Sequence, residues 1–554
     1  MTRTSSRRPA PSCRRPRALV LALLAAALSS GCAIFPHGAY WSSYESRLAE
    51  RAPDSVALPA ALMARETPAE RATLQKAVTR RWSNDGLAES ARNMDARAGR
   101  WVYADAMHTI VWFYVDPVTY RDLVAAGIRS LHAALDNSTF RARFGEADDA
   151  TKRARFAESL EILFLKACAA DPWFAFQAAD WLAVAMEKNR AMLGLPDGAV
   201  VAEFLFGAMD SLDPYTRFLT PEMLHALRQQ IKGAYTGIGA RIASRGGRIF
   251  LAEVFEGGAA ATAGLKAGDE ITAIEEQAVK GLSLTDVSRR LRGKRGTKVR
   301  VSVRPGGHGR TRSVVLERSV VRLPSVAHAR LIEGEEGIGY LRLTTFKSGT
   351  ERELRRAVGT LAERGAVGLI LDLRGNPGGT LLEAIGVAGV FLARGRVTRT
   401  RGRALGATWT YDVPLLARRQ WRGPLAVLIN ERTASAAEVL AAALARRGRA
   451  VLVGRRTFGK GAAQINVSIS GGAGAVCVTV ARVYDPDDEC IEGRGVEPNR
   501  DVKQPGNPVR NLRDDPAVRA AVEVLHAALA EKQVSAVRAA RRAFLLKTTL
   551  SDNR

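Results

Sequence analysis

From residue 337 onward, short and wholly apolar runs alternate with stretches of helical length, and this alternation constrains the fold more than any other feature of the chain. Residues 338–343 read as a strand and 351–363 as a helix. The run Leu369-Ile370-Leu371 within 368–373 is apolar at every position rather than every second one, so neither face of that strand is meant for water. A helix over 381–392, a strand over 425–429, a helix over 436–445 and a strand over 450–453 continue the pattern. Such alternation predicts an α/β core with a largely parallel sheet. In open sheets of this kind reactive groups gather where strands end and helices begin. Two junctions then matter: the glycine-rich Arg374-Gly375-Asn376-Pro377-Gly378-Gly379-Thr380, and Asn430 to Ser435.

The rest of the 554 residues divides by texture. Arg7, Arg8, Arg14, Arg15 and Arg17, an apolar run over 18–28 and small residues up to Gly31-Cys32 read as a signal peptide over 1–31. Residues 32–95 read as a tether with short helices, and 96–230 as a helical domain. There Leu123, Ile128, Leu131 and Leu135 recur at helical spacing. A faint echo links 127–139 with 207–216, each ending in a Leu-Asp turn and a Thr. Over 231–318 the pattern turns to β: Val299, Val301 and Val303 alternate, and a helix fits 284–291. That is a small, partly open β-barrel or sandwich. The α/β core spans 319–505, and an Ala- and Arg-rich helical tail spans 506–554. The fold class is therefore α+β and multidomain.

Ser435 opens a helix, where free N–H groups and the helix dipole favour a developing oxyanion. Ser435 with Glu438 three residues on also spells a capping box, which needs no catalysis. A nucleophilic serine needs a base. All seven histidines lie outside 329–525, so the core offers no histidine base. Lys460 is the sole lysine between 348 and 502, with small or apolar neighbours that lower an amine's pKa by excluding water. A neutral amine can take the serine proton, as in Ser-Lys variants of the triad. Gln464, four residues on and on the same strand face, is placed to hold that amine. The plainer reading is a glycine-flanked surface lysine in a hairpin.

The net charge of +26 invites a nucleic-acid reading, but only 14 of the 82 basic residues are Lys, the mark of an arginine-rich composition bias. The basic run over 289–304 carries no aromatic residue to stack on bases. Export would also remove the chain from genomic DNA, so no nucleic-acid partner is expected. Five cysteines exclude a disulfide scaffold or a Cys-rich zinc array. Cys477 and Cys490 are spaced either for a hairpin disulfide or as two unbridged thiols. Gly31-Cys32 resembles a bacterial lipobox, which implies lipidation of Cys32; ordinary secretion is the other reading.

Four segments together resemble the C-terminal processing (tail-specific) protease family of Ser-Lys endopeptidases. They are residues 207–216, the glycine-rich 235–240 with 263–269 and 292–297, Asp372-Leu-Arg-Gly-Asn-Pro-Gly-Gly379, and the pair Thr433-Ala-Ser-Ala-Ala-Glu438 and Thr457-Phe-Gly-Lys-Gly-Ala-Ala-Gln464. The resemblance covers about 207–502 and implies a PDZ domain over 231–318 and a protease core over 319–505. It implies Ser435 as nucleophile, Lys460 as general base, Gln464 as the residue orienting it, and an oxyanion hole from the N–H groups of Ala436 and of Gly378 or Gly379. The N–H groups of Gly237, Ile238, Gly239 and Ala240 would grip a chain-terminal carboxylate, with the peptide added as a strand. The expectation is an exported, periplasmic, lipid-anchored serine endopeptidase acting on proteins with apolar C-termini, with no metal or cofactor. A catalytically inactive PDZ adaptor is the alternative. Thr433 and Ala437 stand where the family usually has serines.

Overall fold

The computed structural model describes residues 67–170, 174–415, 420–503 and 511–531. The expected signal peptide, Cys32 and most of the expected tether lie outside those residues.

The helical unit begins earlier than residue 96. Helices Pro68–Trp82 and Asp85–Arg92 are capped by Thr67 and Asn84, and Val78 and Trp82 are fully buried in the same core as Leu123, Ile128 and Phe204. The polar composition over 67–95 concealed this, because two large side chains suffice to dock a short amphipathic helix. Glu203 is wholly buried at the centre, where Arg81, Trp82 Nε1 and Ser130 Oγ each donate to it at 2.5 Å. The sequence echo becomes a helix crossing. Gly127 on Tyr120–Asp136 meets Phe204 on Asp197–Asp210 so closely that a Cβ there would fall 2.9 Å from the Phe204 Cα.

A six-stranded sheet over 240–317 runs in the order Ala240–Arg245, Arg248–Val254, Glu270–Ile274, Lys298–Arg304, Arg312–Glu317, with Gln277–Ala278 paired to Glu270–Ile274. Ala240–Arg245 is an edge strand, and helix Leu284–Leu291 lies against it. Val299, Val301 and Val303 are fully buried as their alternation predicted. Strand Ala234–Gly237 pairs antiparallel with Ser319–Arg322, so the chain enters and leaves this unit side by side.

The core sheet runs in the order Val326–Leu331, Ile338–Leu343, Gly368–Asp372, Leu425–Ile429, Val451–Gly454, Arg500–Asp501. Its first pair is antiparallel and the rest are parallel. Leu369, Leu371 and Val427 pack under helices Thr350–Glu363, Leu381–Phe391 and Ala436–Arg446. Ile370, Ala426 and Leu428 pack against Ala517, Val518, Ala521 and Leu525 of a helix over 516–531. That part of the expected tail is thus the cover of the second sheet face. Arg374 ties it down, reaching Asp372 at 2.7 Å and Asp515 at 2.8 Å.

A second, antiparallel sheet escaped the sequence reading. Ala475–Tyr484 is flanked by Arg217–Leu219 and Arg396–Arg401, with Trp409–Asp412 beyond, and Ala462–Ser468 pairs back onto it. Cys477 and Cys490 are both free thiols, which overturns the hairpin disulfide. Among the described residues no helix is long and apolar enough to cross a membrane.

Candidate active site

Ser435 stands at the junction of strand Leu425–Ile429 and helix Ala436–Arg446, with φ +56° and ψ −121°. A non-glycine residue with positive φ is uncommon and is held only by surrounding structure. The restraint is Glu438, which is wholly buried. Only one arm of the expected capping box is built: Ser435 N–H donates to Glu438 Oε2 at 2.7 Å. In the other direction Glu438 N–H donates to the Ser435 carbonyl at 2.8 Å, leaving the hydroxyl out of the cap.

The same carboxylate reaches the lysine loop. Glu438 Oε2 also accepts from Lys460 N–H at 2.8 Å, and Oε1 accepts from Gly459 N–H at 2.7 Å and Thr457 Oγ1 at 2.5 Å. Phe458 N–H donates to the Thr433 carbonyl, stitching the two loops again. Lys460 lies just before strand Ala462–Ser468, half-buried, and its Nζ sits 4.7 Å from the centre of the Tyr215 ring. Burial pushes the Lys460 amine below its ordinary value; Cys477, Glu492 and Asp213 act against that shift and Arg217 with it. Tyr215 arrives from the turn after the helical unit. Asp213 Oδ1 accepts from Tyr215 N–H and Thr216 N–H, both at 2.7 Å, and the Tyr215 hydroxyl donates to Glu492 at 3.4 Å.

Two of the expected site residues have other partners in this structure. Among the described residues no hydrogen bond joins Gln464 to the Lys460 amine, and the Gln464 Nε2 donates to Thr479 Oγ1 at 3.2 Å. Lys460 precedes the strand, and a register shift between Ala463 and Gln464 breaks the simple alternation that would place both on one face. Gly378 was expected to donate to an oxyanion, but its N–H donates to Asn376 Oδ1 at 2.9 Å. Asn376 is fully buried and fixed by its own bond to the Leu343 carbonyl at 2.9 Å. Gly378, at φ +94°, serves instead as a spacer, since a Cβ there would fall 2.8 Å from Ser435 Cβ and 2.9 Å from Ala436 N. Among the described residues no acceptor takes the N–H of Gly379 or of Ala436.

Sequence reasoning missed Tyr215, Thr457, Asn376 and Glu492 as parts of this site, and read Glu438 only as a cap. The 207–216 echo was the visible signal for Tyr215. Nothing local marks Glu492, which comes from the far side of the Ala462–Tyr484 hairpin.

In the β unit, Ile238 and Gly239 offer their carbonyls to Ala260 N–H at 2.7 Å and Phe255 N–H at 2.9 Å. Among the described residues no acceptor takes the N–H of either. A cleft of about 1180 Å³ runs beside the edge strand, lined by Gly237, Ile238, Ala240, Ile242, Leu284 and Leu291. Ala240 opens the edge strand itself.

The chain thus joins an α/β core, which carries a serine at a strained helix start and a lysine beside a tyrosine ring, to a small β unit with a glycine loop open onto a cleft. A peptidase family S41 model matches residues 337–502, and a PDZ domain model matches 228–304. The chain is 39% identical over 302 residues to the chloroplastic C-terminal processing peptidase of Tetradesmus obliquus, covering 52% of this chain and 64% of that protein. It is 32% identical over 312 residues to the carboxy-terminal processing protease CtpA of Bacillus subtilis, covering 56% and 64%. To the carboxyl-terminal-processing protease of Synechocystis sp. it is 34% identical over 330 residues, covering 59% and 75%. The solved structure of a photosystem II D1 C-terminal processing protease aligns over 77% of this chain and 97% of its own, at 30% identity and a TM-score of 0.39. The alignments span 64% of the length of the first two of these relatives. The chain belongs to peptidase family S41 and carries a PDZ domain.

Proposed function

We propose that the protein is an exported serine endopeptidase in which Ser435 attacks the peptide carbonyl and Lys460, as the neutral amine, takes the serine proton. The observation that carries this reading is the single carboxylate oxygen of Glu438 that holds the main chains of Ser435 and Lys460 at 2.7 and 2.8 Å. The water-poor setting of Lys460 supplies the base, since an amine kept from solvent sheds its proton more readily. Ala436 N–H, in the first helical turn, has no intrahelical acceptor and is a donor for the oxyanion. Gly379 N–H is the second donor in this reading. Proteins with apolar C-termini enter through the PDZ cleft, their carboxylate on the N–H groups of Ile238 and Gly239 and their chain added to the edge strand. The basic and apolar start of the sequence supports export, with Cys32 as a lipid anchor on the periplasmic side.

The adaptor reading draws on the engaged Gly378 N–H and on Gln464 turned to Thr479. Incubating the protein and Ser435→Ala with an unfolded substrate decides between them. Cleavage by the wild type and none by the variant is expected. Equal cleavage by both sinks the Ser435 assignment, and no cleavage by either, with retained peptide binding, leaves the adaptor.

A further inference from the structure

A second cleft, of about 600 Å³, lies between the PDZ domain and the α/β core. It shares Tyr235, Arg241 and Arg292 with the peptide cleft of the PDZ domain, and at its other end it is lined by Pro377. Pro377 adjoins Gly378, which packs against Ser435. An extended chain anchored at Ile238 and reaching for Ser435 would run through this space.

Its charge is one-sided. Arg241, Arg292, Arg342 and Lys347 line it, with Glu253 the one carboxylate among the lining residues. Glu253 is already opposite Arg241 at 3.1 Å. Arg292 lies over the Tyr235 ring at 5.4 Å. Arg342 gives Nη2 to the Arg374 carbonyl at 3.3 Å, while its buried Nε has no acceptor among the described residues. Lys347 is 6% exposed, its stem packed against Gly233 where the helix Pro221–Lys232 turns into the PDZ domain, and its Nζ has no acceptor either. Buried cationic donors are ordinarily matched. The Lys347 ammonium and the Arg342 Nε, both without an acceptor and both on residues lining the same cleft, leave donors that an anion would satisfy.

We infer that this cleft is a carboxylate-accepting subsite, in which Arg342 and Lys347 receive an Asp or Glu side chain from the substrate stretch between its apolar C-terminus and the bond cut at Ser435. The inference rests on the endopeptidase reading for the path of the chain. It narrows the substrate class to tails with an acidic residue upstream of an apolar end. Charge-assisted hydrogen bonds to a guanidinium and an ammonium select a carboxylate over its neutral isostere, because an amide leaves one donor facing another.

The test uses the full chain and matched peptides with one apolar C-terminal sequence, carrying Glu or Gln at each upstream position in turn. Cleavage is read as kcat/KM, and affinity for Ser435→Ala is read by fluorescence polarisation. The expected result is a Glu-over-Gln preference of about tenfold or more at one or two adjacent positions. That ratio should fall to about 1 in Lys347→Met and in Arg342→Gln; Met keeps the stem that packs on Gly233. Peptides amidated at the C-terminus should bind more weakly yet keep the same ratio. A ratio of 1 at every position in the wild type overturns the subsite, as does a preference that both variants retain. Loss of the ratio on amidation also overturns it, since the cleft would then be holding the terminal carboxylate. If no peptide is cut, the endopeptidase reading fails and the affinity ratio alone decides the subsite.

Discussion

The main-chain N–H groups of Ser435 and Lys460 converge on one oxygen, Glu438 Oε2, although 24 residues of helix, strand and loop separate them. A buried carboxylate between two loops fixes their separation better than contact between mobile side chains, because neither main chain can rotate away. Glutamine in its place has one acceptor oxygen and brings an amide group in among four donors. Glu438→Gln is therefore expected to lose at least about 10²-fold in turnover, and to cost on the order of 3 kcal/mol of stability through unmatched buried groups. Thermal unfolding and peptide cleavage, measured side by side, check this. Wild-type values of both would show that the carboxylate is dispensable.

Lys460 gives a second expectation. A general base contributes roughly 10²–10⁴-fold, so Lys460→Ala should lose at least that much. Lys460→Arg should be as inactive, because a guanidinium holds its proton throughout the working range. The active form is the neutral amine, so kcat/KM must rise with pH along a limb set by the depressed Lys460 value, below the ordinary 10.4 or so. A limb that stays in place in an active Lys460→Arg enzyme would put the base elsewhere. His328, which lines the cleft beside Pro377, is the first residue to examine in that case.

The Tyr215 ring exerts two opposed effects on that limb. Its face attracts a cation and so favours the charged amine, while its bulk keeps water away and disfavours it. Burial is the largest influence on Lys460 and lowers its value, and the Tyr215 ring is part of that cover, so exclusion of water is expected to outweigh the attraction. Tyr215→Phe keeps the ring and loses only the 3.4 Å bond to Glu492, and its pH profile should match the wild type closely. Tyr215→Ala admits water and should move the limb to higher pH, with lower turnover at neutral pH. A limb moving to lower pH in Tyr215→Ala would mean that the cation–π attraction dominates.

Much of the core was legible because its signals are local. A strand covered on both faces must be apolar throughout, and 368–373 and 425–429 announced themselves that way. The helix starts at Leu381 and Ala436 followed from the loops before them. What stayed hidden depends on long-range pairing. The hairpin from Ala462 to Tyr484 carries a register shift between Ala463 and Gln464 that no single-strand pattern shows. Gly378 looked like a donor because its glycine neighbours free the main chain; that Asn376 folds back two residues to take its N–H depends on the buried position of Asn376 against Leu343. The helix over 516–531 read as a tail because its apolar face makes sense only once the sheet exists.

Gly378 also yields a steric prediction. Its φ of +94° lies where side-chain-bearing residues are strained, and a Cβ would press on Ser435 Cβ, Ala434 O and Ala436 N at 2.7 to 2.9 Å. Two of those three atoms are main chain and cannot swing aside. Gly378→Ala should therefore displace the serine junction and abolish cleavage, while peptide binding on the N–H groups of Ile238 and Gly239 persists. Normal turnover in Gly378→Ala would mean that the loop before Thr380 yields freely.

Lys347 ties the basic cleft to stability. Burial lowers the value of its amine, with Glu353 partly opposing. In the unfolded chain the same amine keeps its proton up to about pH 10.4. Between the lowered folded value and 10.4 the unfolded state holds more protons, so stability rises with pH across that window and falls as pH drops through it. Below the folded value both states are protonated and the full cost of a buried unmatched cation remains. Lys347→Met removes that cost and retains the packing on Gly233. The variant should be more stable than the wild type at neutral pH, on the order of 1–3 kcal/mol. The gap should narrow as pH rises toward 10.4 and close above it, where the wild-type amine is neutral in both states. Lys460 contributes a slope of the same sign, but it is present in both proteins and cancels in the difference. Denaturant unfolding of the pair at several pH values between 6 and 10 reads the gap directly, and a gap independent of pH would show that Lys347 finds a counter-charge in solution.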